Sequence, residues 1–399
     1  MNTFCKSRLK NILFLIAVCG SAIITMSDCA SIPAVDAMYG AFSDHINLTN
    51  YIISGPALIA IVTALAGAPL VKKYSKKNVL ILSYLISTAA LLLCSYIVNV
   101  VFIAIMRTIA GLATGLVQLS AISLVNEYYS DDEKHRSFSL GILNAGTGIG
   151  GTVLSLTGGL LAAKMWHKCF SSFWLCIPFV IMMILWIPKH HKTQEIQEKT
   201  QIRTKFPLLK MLPIFCSFFI ICMVYCVIYL LISVYIIENG IGDESTTGLI
   251  SSLGTLASCV VCFMFGFIYQ KLKRWTILPV FAIMAIGYFA LFFFRSLPVL
   301  ITAFILMSAA YGGVAYSYYF MRATVIVGEE HVTSATSIVM AANGISMFLS
   351  TYFATYLMAW MKSDSLTAIF PVLAVICTVW FVIELVLILK DRKLECTVE

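Results

Sequence analysis

Charged side chains are scarce in this chain. Asp, Glu, Lys and Arg make up 12% of its 399 residues, whereas an average soluble domain has about 25%. Hydrophobic residues make up 60% instead. A soluble protein of this length could not bury so much apolar surface. The composition therefore excludes a soluble globular fold and predicts an all-α polytopic membrane protein.

The sequence also lacks the short motifs of several enzyme classes. It contains no HExxH, no nucleophile elbow and no phosphate-binding loop. We therefore expect a protein that is not an enzyme and that has no cofactor. Because the sequence holds no ATP-binding motif, its energy is expected to come from a gradient.

Paired cysteine motifs are absent as well. The 13 cysteines are scattered, mostly inside apolar stretches, and we interpret them as small apolar helix residues. The adjacent His190 and His191 lie in a hydrophilic stretch and do not indicate a metal site. The net charge of +8 is interpreted as orienting the chain in a membrane, so we expect no nucleic-acid partner.

Twelve apolar stretches are each long enough to cross a hydrocarbon layer of roughly 30 Å as a helix. We predict membrane spans at 11–36, 48–70, 78–98, 100–126, 137–163, 169–188, 209–237, 246–269, 275–294, 298–324, 334–360 and 366–389. The first span follows a basic segment and resembles a signal peptide, but its apolar run is long, and we expect a retained helix. The longest hydrophilic connection follows the sixth span. It predicts one six-helix bundle at 1–188, a cytoplasmic linker at 189–207 and a second six-helix bundle at 208–399.

Lys and Arg are distributed unevenly between the two sets of loops. With twelve spans, 21 of the 27 Lys and Arg residues lie on the side of the N-terminus and four lie on the opposite side. Cytoplasmic loops carry the excess of positive charge. This distribution predicts that both termini are cytoplasmic, and we expect the protein in the plasma membrane.

The two predicted bundles resemble each other in sequence. Segment 68–80 after the second span aligns with 266–278 after the eighth at an offset of 198, and Gly115 aligns with Gly312 at an offset of 197. Many secondary transporters contain such repeats and bind substrate near the midplane between them. The sequence therefore predicts two pseudo-symmetric six-helix bundles.

The fifth span is rich in glycine, although glycine weakens a helix in water by about 1 kcal/mol relative to alanine. Small residues let membrane helices approach closely where no hydrophobic drive brings them together. Steps of four residues trace a small-residue stripe of Thr147, Gly151, Ser155 and Gly159. We predict a helix-packing motif that comprises Gly141, Gly150, Gly151, Gly158 and Gly159.

Four motifs resemble those of the major facilitator superfamily. The fifth span is similar to its antiporter motif at the glycines just named, although the Gly-Pro pair of that motif is absent. The loop after the second span resembles the motif Gly-x-Leu-x-Asp-Arg-x-Gly-Arg-Lys, with Lys72 in place of its acidic residue. The loop after the eighth span keeps Gly266, Lys271 and Arg274 of that motif. In the fourth span, Arg107 and Gly111 resemble the motif Arg-x-x-x-Gly.

This resemblance covers nearly the whole chain and implies a rocker-switch transporter. Two bundles would surround a central cavity, lined by spans one, four, seven and ten, and expose it to each side of the membrane in turn. The expected partners are a small-molecule substrate, protons and the lipid bilayer. We expect the protein to be a monomer.

Ionisable residues inside membrane spans are costly and are therefore functional candidates. Asp28 in the first span and Arg107 in the fourth lie at depths that agree to within roughly one helical turn at a rise of 1.5 Å per residue. We predict that they approach each other and that breaking the pair lets Asp28 take up a proton. A static ion pair is the alternative. We expect Arg322 to snorkel to the interface and Glu384 to snorkel or to interact with a helix end.

Helical spacing places polar and aromatic residues on one face of the cavity-lining spans. The candidate substrate-cavity residues are Thr25, Gln118, Tyr225, Tyr229, Tyr311 and Tyr318. Tyrosine rings and one glutamine suit an amphiphilic or aromatic solute, which they would bind by stacking and a few hydrogen bonds. Packing of these tyrosines between helices is the alternative.

Two basic loops are predicted to act as cytoplasmic gate loops. Their residues are Lys72, Lys73, Lys76, Lys271 and Arg274. The charged segments 131–136 and 328–331 follow the fourth and tenth spans. We expect them to meet the basic loops when the cytoplasmic side closes.

The first functional hypothesis is a secondary active transporter that exports a small amphiphilic molecule in a proton-coupled manner. Uptake of a small polar metabolite by symport is the alternative. The apolar cavity and the partial antiporter motif favour export. A membrane-embedded enzyme and a sensor that responds to ligand without flux are further alternatives.

Overall fold

The computed structural model describes residues 2–129, 133–188, 208–327 and 332–396. The long elements in these ranges are all helical, and the ranges contain no strand. This confirms the all-α fold that the composition predicts.

The first half of the chain contains six long helices. The first span begins with α1, Asn2–Ile23, and continues in the short helices Asp28–Ser31 and Val35–Ala41. The next five helices are α2 at Ile46–Ala66, α3 at Lys76–Cys94, α4 at Val100–Tyr128, α5 at Glu133–Ala162 and α6 at Ile177–Trp186. The 3₁₀ segment Trp166–Cys176 leads into α6 and belongs to the same span.

The second half also contains six long helices. They are α7 at Leu208–Glu238, α8 at Glu244–Leu272, α9 at Leu278–Phe293, α10 at Leu297–Ser308, α11 at Val332–Trp360 and α12 at Phe370–Cys396. The span of α10 continues through a π-helical turn, Ala309–Ala315, into Tyr316–Val327.

These helices correspond to the twelve predicted spans. Within the described ranges, ten helical segments are long and apolar enough to cross a membrane. The first span is an eleventh, because its parts Lys10–Met26 and Asp28–Ala41 are bent by 47°. The segment Glu244–Phe293 counts once but contains both α8 and α9, which the 3₁₀ turn Lys273–Ile277 separates. The chain is therefore a multi-pass membrane protein.

The chain divides into two compact units, Met1–Thr200 and Gln201–Glu399. In the first unit, α1 packs against α5, α2 against α4, and α3 against both α4 and the sixth span. In the second unit, α7 packs against α11, α8 against the tenth span, and α9 against α12. The same pairs by order along the chain thus recur within each unit. The predicted linker, 189–207, lies outside the described residues.

A close helix approach recurs at equivalent positions of the two units. A Cβ atom added to Gly115 of α4 would lie 2.9 Å from the Cβ of Thr63 in α2. A Cβ atom added to Gly313 in the π-helical turn would lie 2.7 Å from the Cβ of Val261 in α8. Both pairs align at the offset of 198, one residue from the offset of 197 that aligns Gly115 with Gly312. Glycine at these positions lets the helices pack at backbone distance.

Glycines of α5 pack against the first span, along a different row from the predicted stripe. A Cβ atom added to Gly150 would lie 2.8 Å from the Cα of Ile23, and one added to Gly158 would clash with the carbonyl oxygen of Ala30. Gly141 does not belong to this packing face, because a Cβ atom there would meet open space. Gly151 and Gly159 are buried. The glycines that contact the first span, Gly150 and Gly158, each lie one position before a glycine of the predicted stripe, Gly151 and Gly159.

Candidate functional site

The structure brings Asp28 and Arg107 together inside the first unit. Nη2 of Arg107 lies 2.6 Å from Oδ1 of Asp28. The Arg107 side chain is completely buried, whereas the Asp28 side chain is 17% exposed. Asp28 begins a new helical segment directly after the bend of the first span. The role of this pair in proton coupling stays a prediction.

Two backbone carbonyls of α2 hold the same guanidinium group. Nε of Arg107 donates to the carbonyl of Ile52 at 2.9 Å, and Nη2 lies 3.5 Å from the carbonyl oxygen of Ile53. Pro56 lies inside α2 and has no N–H group. The Ile52 carbonyl therefore lacks its usual donor four residues later and is available to Arg107. Nη1 of Arg107 is buried without a hydrogen-bond partner in the described part of the chain.

An uncharged polar cluster lies between α7, the tenth span and α11 of the second unit. The Tyr311 hydroxyl donates to Oδ1 of Asn343 at 2.7 Å and lies 2.9 Å from Sγ of Cys222. Sγ of Cys222 also lies 3.3 Å from Oδ1 of Asn343. Tyr311 sits in the π-helical turn, a feature that is frequent at functional sites. We call Cys222, Tyr225, Ser308, Tyr311 and Asn343 the Tyr311 cluster.

Aromatic stacking completes the Tyr311 cluster. The rings of Tyr225 and Tyr311 stack with centroids 4.3 Å apart and planes inclined by 18°. The Tyr225 hydroxyl donates to Oγ of Ser308 at 3.1 Å. The ring of Tyr229 also stacks on that of Tyr225, with centroids 5.5 Å apart. Three of the predicted cavity residues therefore lie together.

The other three predicted cavity residues have separate surroundings. The Thr25 hydroxyl donates to the carbonyl of Ala22 in its own helix at 2.6 Å. Gln118 is half-buried on α4. Tyr318 is buried, and its ring lies 6.3 Å from that of Tyr269 and 5.3 Å from that of Tyr319.

The basic loop of the first unit is held by partners within that unit. Nζ of Lys76 forms an ion pair with Glu127 of α4 at 2.7 Å. Nζ of Lys77 donates to the carbonyls of Ile184 and Ile187 at 2.7 and 2.5 Å. Lys77 thereby caps the C-terminal end of α6, where a cation is favoured by the helix dipole.

The other predicted gate residues have different surroundings. Nζ of Lys73 lies 5.7 Å above the ring of Tyr74. Lys271 is exposed at the end of α8, and Arg274 is half-buried in the turn that follows it. The side chain of Lys72, residues 131–132, the side chains of 133–134 and the segment 328–331 lie outside the described residues. The predicted contacts of these acidic segments stay a prediction.

Glu384 has a different environment from the one that its sequence position predicts. Its carboxylate accepts hydrogen bonds from Ser217 of α7 and Tyr319 of the tenth span, so it does not snorkel to a helix end. Asn343 and Glu127 were also not predicted. A signal for Asn343 does exist in the sequence, because a lone amide inside an apolar span needs a hydrogen-bonding partner.

Comparisons with known proteins agree with this architecture. No curated protein matches the sequence. Among solved structures, a D-xylose-proton symporter is similar with a TM-score of 0.71 and 14% identity, over 93% of this chain and 97% of that chain. The nucleoside transporter NupG is similar with a TM-score of 0.69 and 13% identity, over 93% and 99% of the two chains. A peptide transporter, POT, in complex with alafosfalin reaches a TM-score of 0.73 at 10% identity, over 94% of both chains.

Identities this low show a likeness of fold alone. The family assignment comes from the sequence, because the family model of the Major Facilitator Superfamily matches residues 13–326 and 243–395. Together these ranges cover nearly the whole chain. The chain therefore belongs to the major facilitator superfamily.

Proposed function

We propose that this protein is a secondary active transporter that works by alternating access and couples the export of a small amphiphilic molecule to proton movement. The observation that carries the proposal is the ion pair between Asp28 and Arg107 at 2.6 Å inside a membrane-spanning unit. A carboxylate and a guanidinium in that environment are costly unless they are paired or functional.

The surroundings of the pair support reversible protonation of Asp28. The Asp28 side chain is 17% exposed and Arg107 is fully buried, so we propose that a proton reaches the carboxylate from its exposed side. When Asp28 is neutral, the carbonyls of Ile52 and Ile53 still accept hydrogen bonds from the guanidinium. The guanidinium group of Arg107 thus keeps two hydrogen-bond acceptors when the Asp28 carboxylate changes charge.

The Tyr311 cluster supports an amphiphilic substrate. It combines stacked tyrosine rings with three hydroxyl groups, one amide and one thiol, and it contains no Asp, Glu, Lys, Arg or His. Such a surface binds a solute by stacking and by a small number of hydrogen bonds. A substrate group would compete with Asn343 for the Tyr311 hydroxyl.

Uptake of a small polar metabolite by proton symport is the second candidate. Two of the similar structures are named as a D-xylose-proton symporter and a nucleoside transporter. The amide of Asn343 and the hydroxyl of Tyr311 also suit a hydroxylated metabolite. Symport and antiport differ in the direction in which protons accompany the substrate.

The Lys and Arg distribution supports cytoplasmic termini, and the plasma membrane is our proposed location. We propose a monomer with bundles at 1–188 and 208–399, joined by a cytoplasmic linker at 189–207.

The orientation is tested by placing a single cysteine in the linker and by labelling it in intact cells. Labelling by an impermeant reagent before lysis would contradict it.

Collapse of a proton gradient in inside-out membrane vesicles tests the proposal. A panel of amphiphiles and polar metabolites is added to vesicles with an acidic interior, and the internal pH is followed with a dye. We expect at least one amphiphile to dissipate the gradient with the native protein and not with Asp28→Asn. Asp44→Asn is the matched control, because Asp44 is exposed in a turn outside the pair.

A different measurement tests the uptake of a polar metabolite by symport. In right-side-out vesicles, a symported metabolite added outside would make the medium more alkaline as protons enter with it. That result without gradient collapse by any amphiphile would replace export by uptake. Gradient collapse that is equal in native and Asp28→Asn vesicles would contradict the coupling role of Asp28.

A further inference from the structure

A second carboxyl group lies within a membrane span of the second unit and joins three spans. Oε1 of Glu384 on α12 accepts a hydrogen bond from Oγ of Ser217 on α7 and lies 3.5 Å from the Tyr319 hydroxyl on the tenth span. Oγ of Ser217 lies 2.5 Å from the Tyr319 hydroxyl and accepts from Nε1 of Trp380 at 2.9 Å. Ser217 and Tyr319 are each 2% exposed. We call these four residues the Glu384 cluster.

No cation is paired with Glu384 in the described part of the chain. No Lys, Arg or His nitrogen there lies within 4.0 Å of its carboxylate oxygens. Arg322 on the tenth span attracts the carboxylate only from a greater distance. The other titratable groups that face it from that span are Tyr318 and Tyr319. Glu384 therefore differs from Asp28, which has a guanidinium in direct contact.

Among the described side chains, the other elements packed against α12 do not supply a counter-ion to Glu384 either. The only titratable residue of α9 is Tyr288, and its hydroxyl donates to the carbonyl of Val224 at 2.5 Å. The turn after α8 also touches α12 and carries Lys273 and Arg274, and neither forms an ion pair with Glu384. A carboxylate in a membrane span that is balanced only by neutral donors is costly in its charged form.

The hydrogen-bond directions make the cluster sensitive to one proton. Ser217 has one hydroxyl hydrogen, which it donates to Glu384, and it accepts a hydrogen bond from Nε1 of Trp380. The Tyr319 hydroxyl also has one hydrogen, which points either to Ser217 or to Glu384. A protonated Glu384 becomes a hydrogen-bond donor itself. When the proton is on Oε1, the hydroxyl groups of Ser217 and Tyr319 can no longer both donate to that oxygen, and at least one of them must change its hydrogen bond.

We propose that Glu384 binds a proton reversibly within the membrane and that this proton rearranges the hydrogen bonds of Ser217, Tyr319 and Trp380. In the charged form, Oε1 accepts from Ser217 of α7 and from Tyr319 of the tenth span, and a proton on Oε1 releases at least one of these hydrogen bonds. This site is separate from Asp28 and needs neither the proposed substrate nor a proton gradient.

Carbodiimide labelling of the full-length protein in lipid nanodiscs tests proton binding. Dicyclohexylcarbodiimide is apolar and reacts with protonated carboxyl groups, and mass spectrometry of the peptides locates the product. We expect labelling of Glu384 to fall about tenfold for each pH unit above its midpoint. Glu238 is the matched internal control, because the Leu366 N–H and the Ser365 and Thr367 hydroxyls donate to its carboxylate at the opposite end of α7.

Tryptophan fluorescence gives a second readout that does not depend on access of the reagent. The emission of Trp380, obtained by subtracting the spectrum of Trp380→Phe, is followed from acidic to alkaline pH. We expect a pH transition that Glu384→Gln abolishes and that Asp28→Asn leaves unchanged. Glu384→Gln keeps the size of the side chain, and its amide oxygen can still accept from Ser217.

The outcomes separate this site from the proposed transport. A pH-dependent label on Glu384, or a Trp380 transition that is lost in Glu384→Gln, supports proton binding even if no substrate is found. Absence of the label at every pH, together with a Trp380 signal that Glu384→Gln does not change, overturns the inference. Neither result depends on whether Asp28 couples transport.

Discussion

The two units keep the same helix pairs but place different polar groups between them. The first unit joins its first and fourth spans by a charged pair, Asp28 and Arg107. At an offset of 197, these positions align with Tyr225 and Phe304 of the second unit, which carry no formal charge. There, Tyr225 and Tyr311 stack and form neutral hydrogen bonds.

This difference indicates that the two units share one helix arrangement but have different functional roles. Close approaches such as that of Gly115 to Thr63 recur at Gly313 and Val261, so the packing is retained. The chemistry between the helices is not retained. In our proposal, the first unit provides the titratable pair and the second unit provides aromatic and amide contacts for a solute.

The largest effect is expected at Arg107. Arg107→Met leaves the Asp28 carboxylate and the Ile52 carbonyl without their donor, and removal of one partner of a buried pair costs about 3–5 kcal/mol. Thermal unfolding in detergent measures the loss of stability. The double variant Asp28→Asn/Arg107→Met, which has no unpaired charge, should recover part of it. Equal stability of native and Arg107→Met would show that the pair does not hold α4 in place.

The next effect concerns the shared scaffold. Gly150→Val would force α5 away from Ile23, and Gly313→Val would do the same between the tenth span and Val261. Overpacking of this kind costs about 1–3 kcal/mol. Gly141→Val and Gly266→Val are the matched controls in the two units, because a side chain there meets open space. Unfolding temperatures that do not distinguish the variants from their controls would contradict the packing account.

A smaller effect is expected at the neutral cluster. Tyr311→Phe keeps the ring stacked on Tyr225 but removes the hydrogen bond to Asn343, which is worth about 0.5–1.5 kcal/mol. We expect weaker binding of the transported solute, up to about tenfold, with proton coupling intact. The KM of transport measures this, and Tyr356→Phe is the control, because Tyr356 is 62% exposed on α11. Loss of coupling in Tyr311→Phe would break the proposed division between the units.

The smallest effect is expected at the N-terminus of α8, which has a side-chain cap, whereas the N-terminus of α2 has none. Asp243 caps α8, because its side chain accepts from the N–H and hydroxyl groups of Thr246, and these hydrogen bonds lower the pKa of Asp243 below its usual 3.8. The equivalent residue before α2, at the offset of 198, is His45, which makes no such bond. Asp243→Ala should cost about 0.5–2 kcal/mol.

The pH dependence of this cap follows from the direction of its pKa shift. Since the pKa is lower in the folded protein, the contribution of Asp243 is present above the unfolded value near 3.8. It is lost as pH falls through the lower folded value. Unfolding of native protein and Asp243→Ala should therefore differ at pH 6 and converge under strongly acidic conditions. A difference that persists unchanged at acidic pH would contradict this account.

Much of the fold was predictable because the bilayer imposes a simple rule. Each apolar run of about 20 residues must form a helix, and the runs in this sequence give all twelve. The contact of Asp28 with Arg107 followed from their matching depths. The donors to Arg107 were harder to find, since the role of Pro56 in freeing the Ile52 carbonyl depends on which face of α2 meets α4.

The polar clusters of the second unit show where one-dimensional spacing is insufficient. Tyr225 and Tyr311 were predicted on the correct faces, but Asn343 and Glu384 lie on the eleventh and twelfth spans, outside the spans expected to line the cavity. Their partners are hydroxyl groups of Ser217, Tyr311 and Tyr319 on other helices. Such contacts depend on helix rotation, which periodicity of apolar residues defines only coarsely.

Proton and substrate fluxes of the native protein and Asp28→Asn, reconstituted in liposomes, test the central claim most directly. A labelled substrate is followed both in exchange without a gradient and in net transport with simultaneous recording of pH. We expect the native protein to move protons with its substrate. We expect Asp28→Asn to exchange substrate without net proton movement. Proton movement by Asp28→Asn in the native ratio to substrate would contradict the claim that this ion pair couples transport to protons.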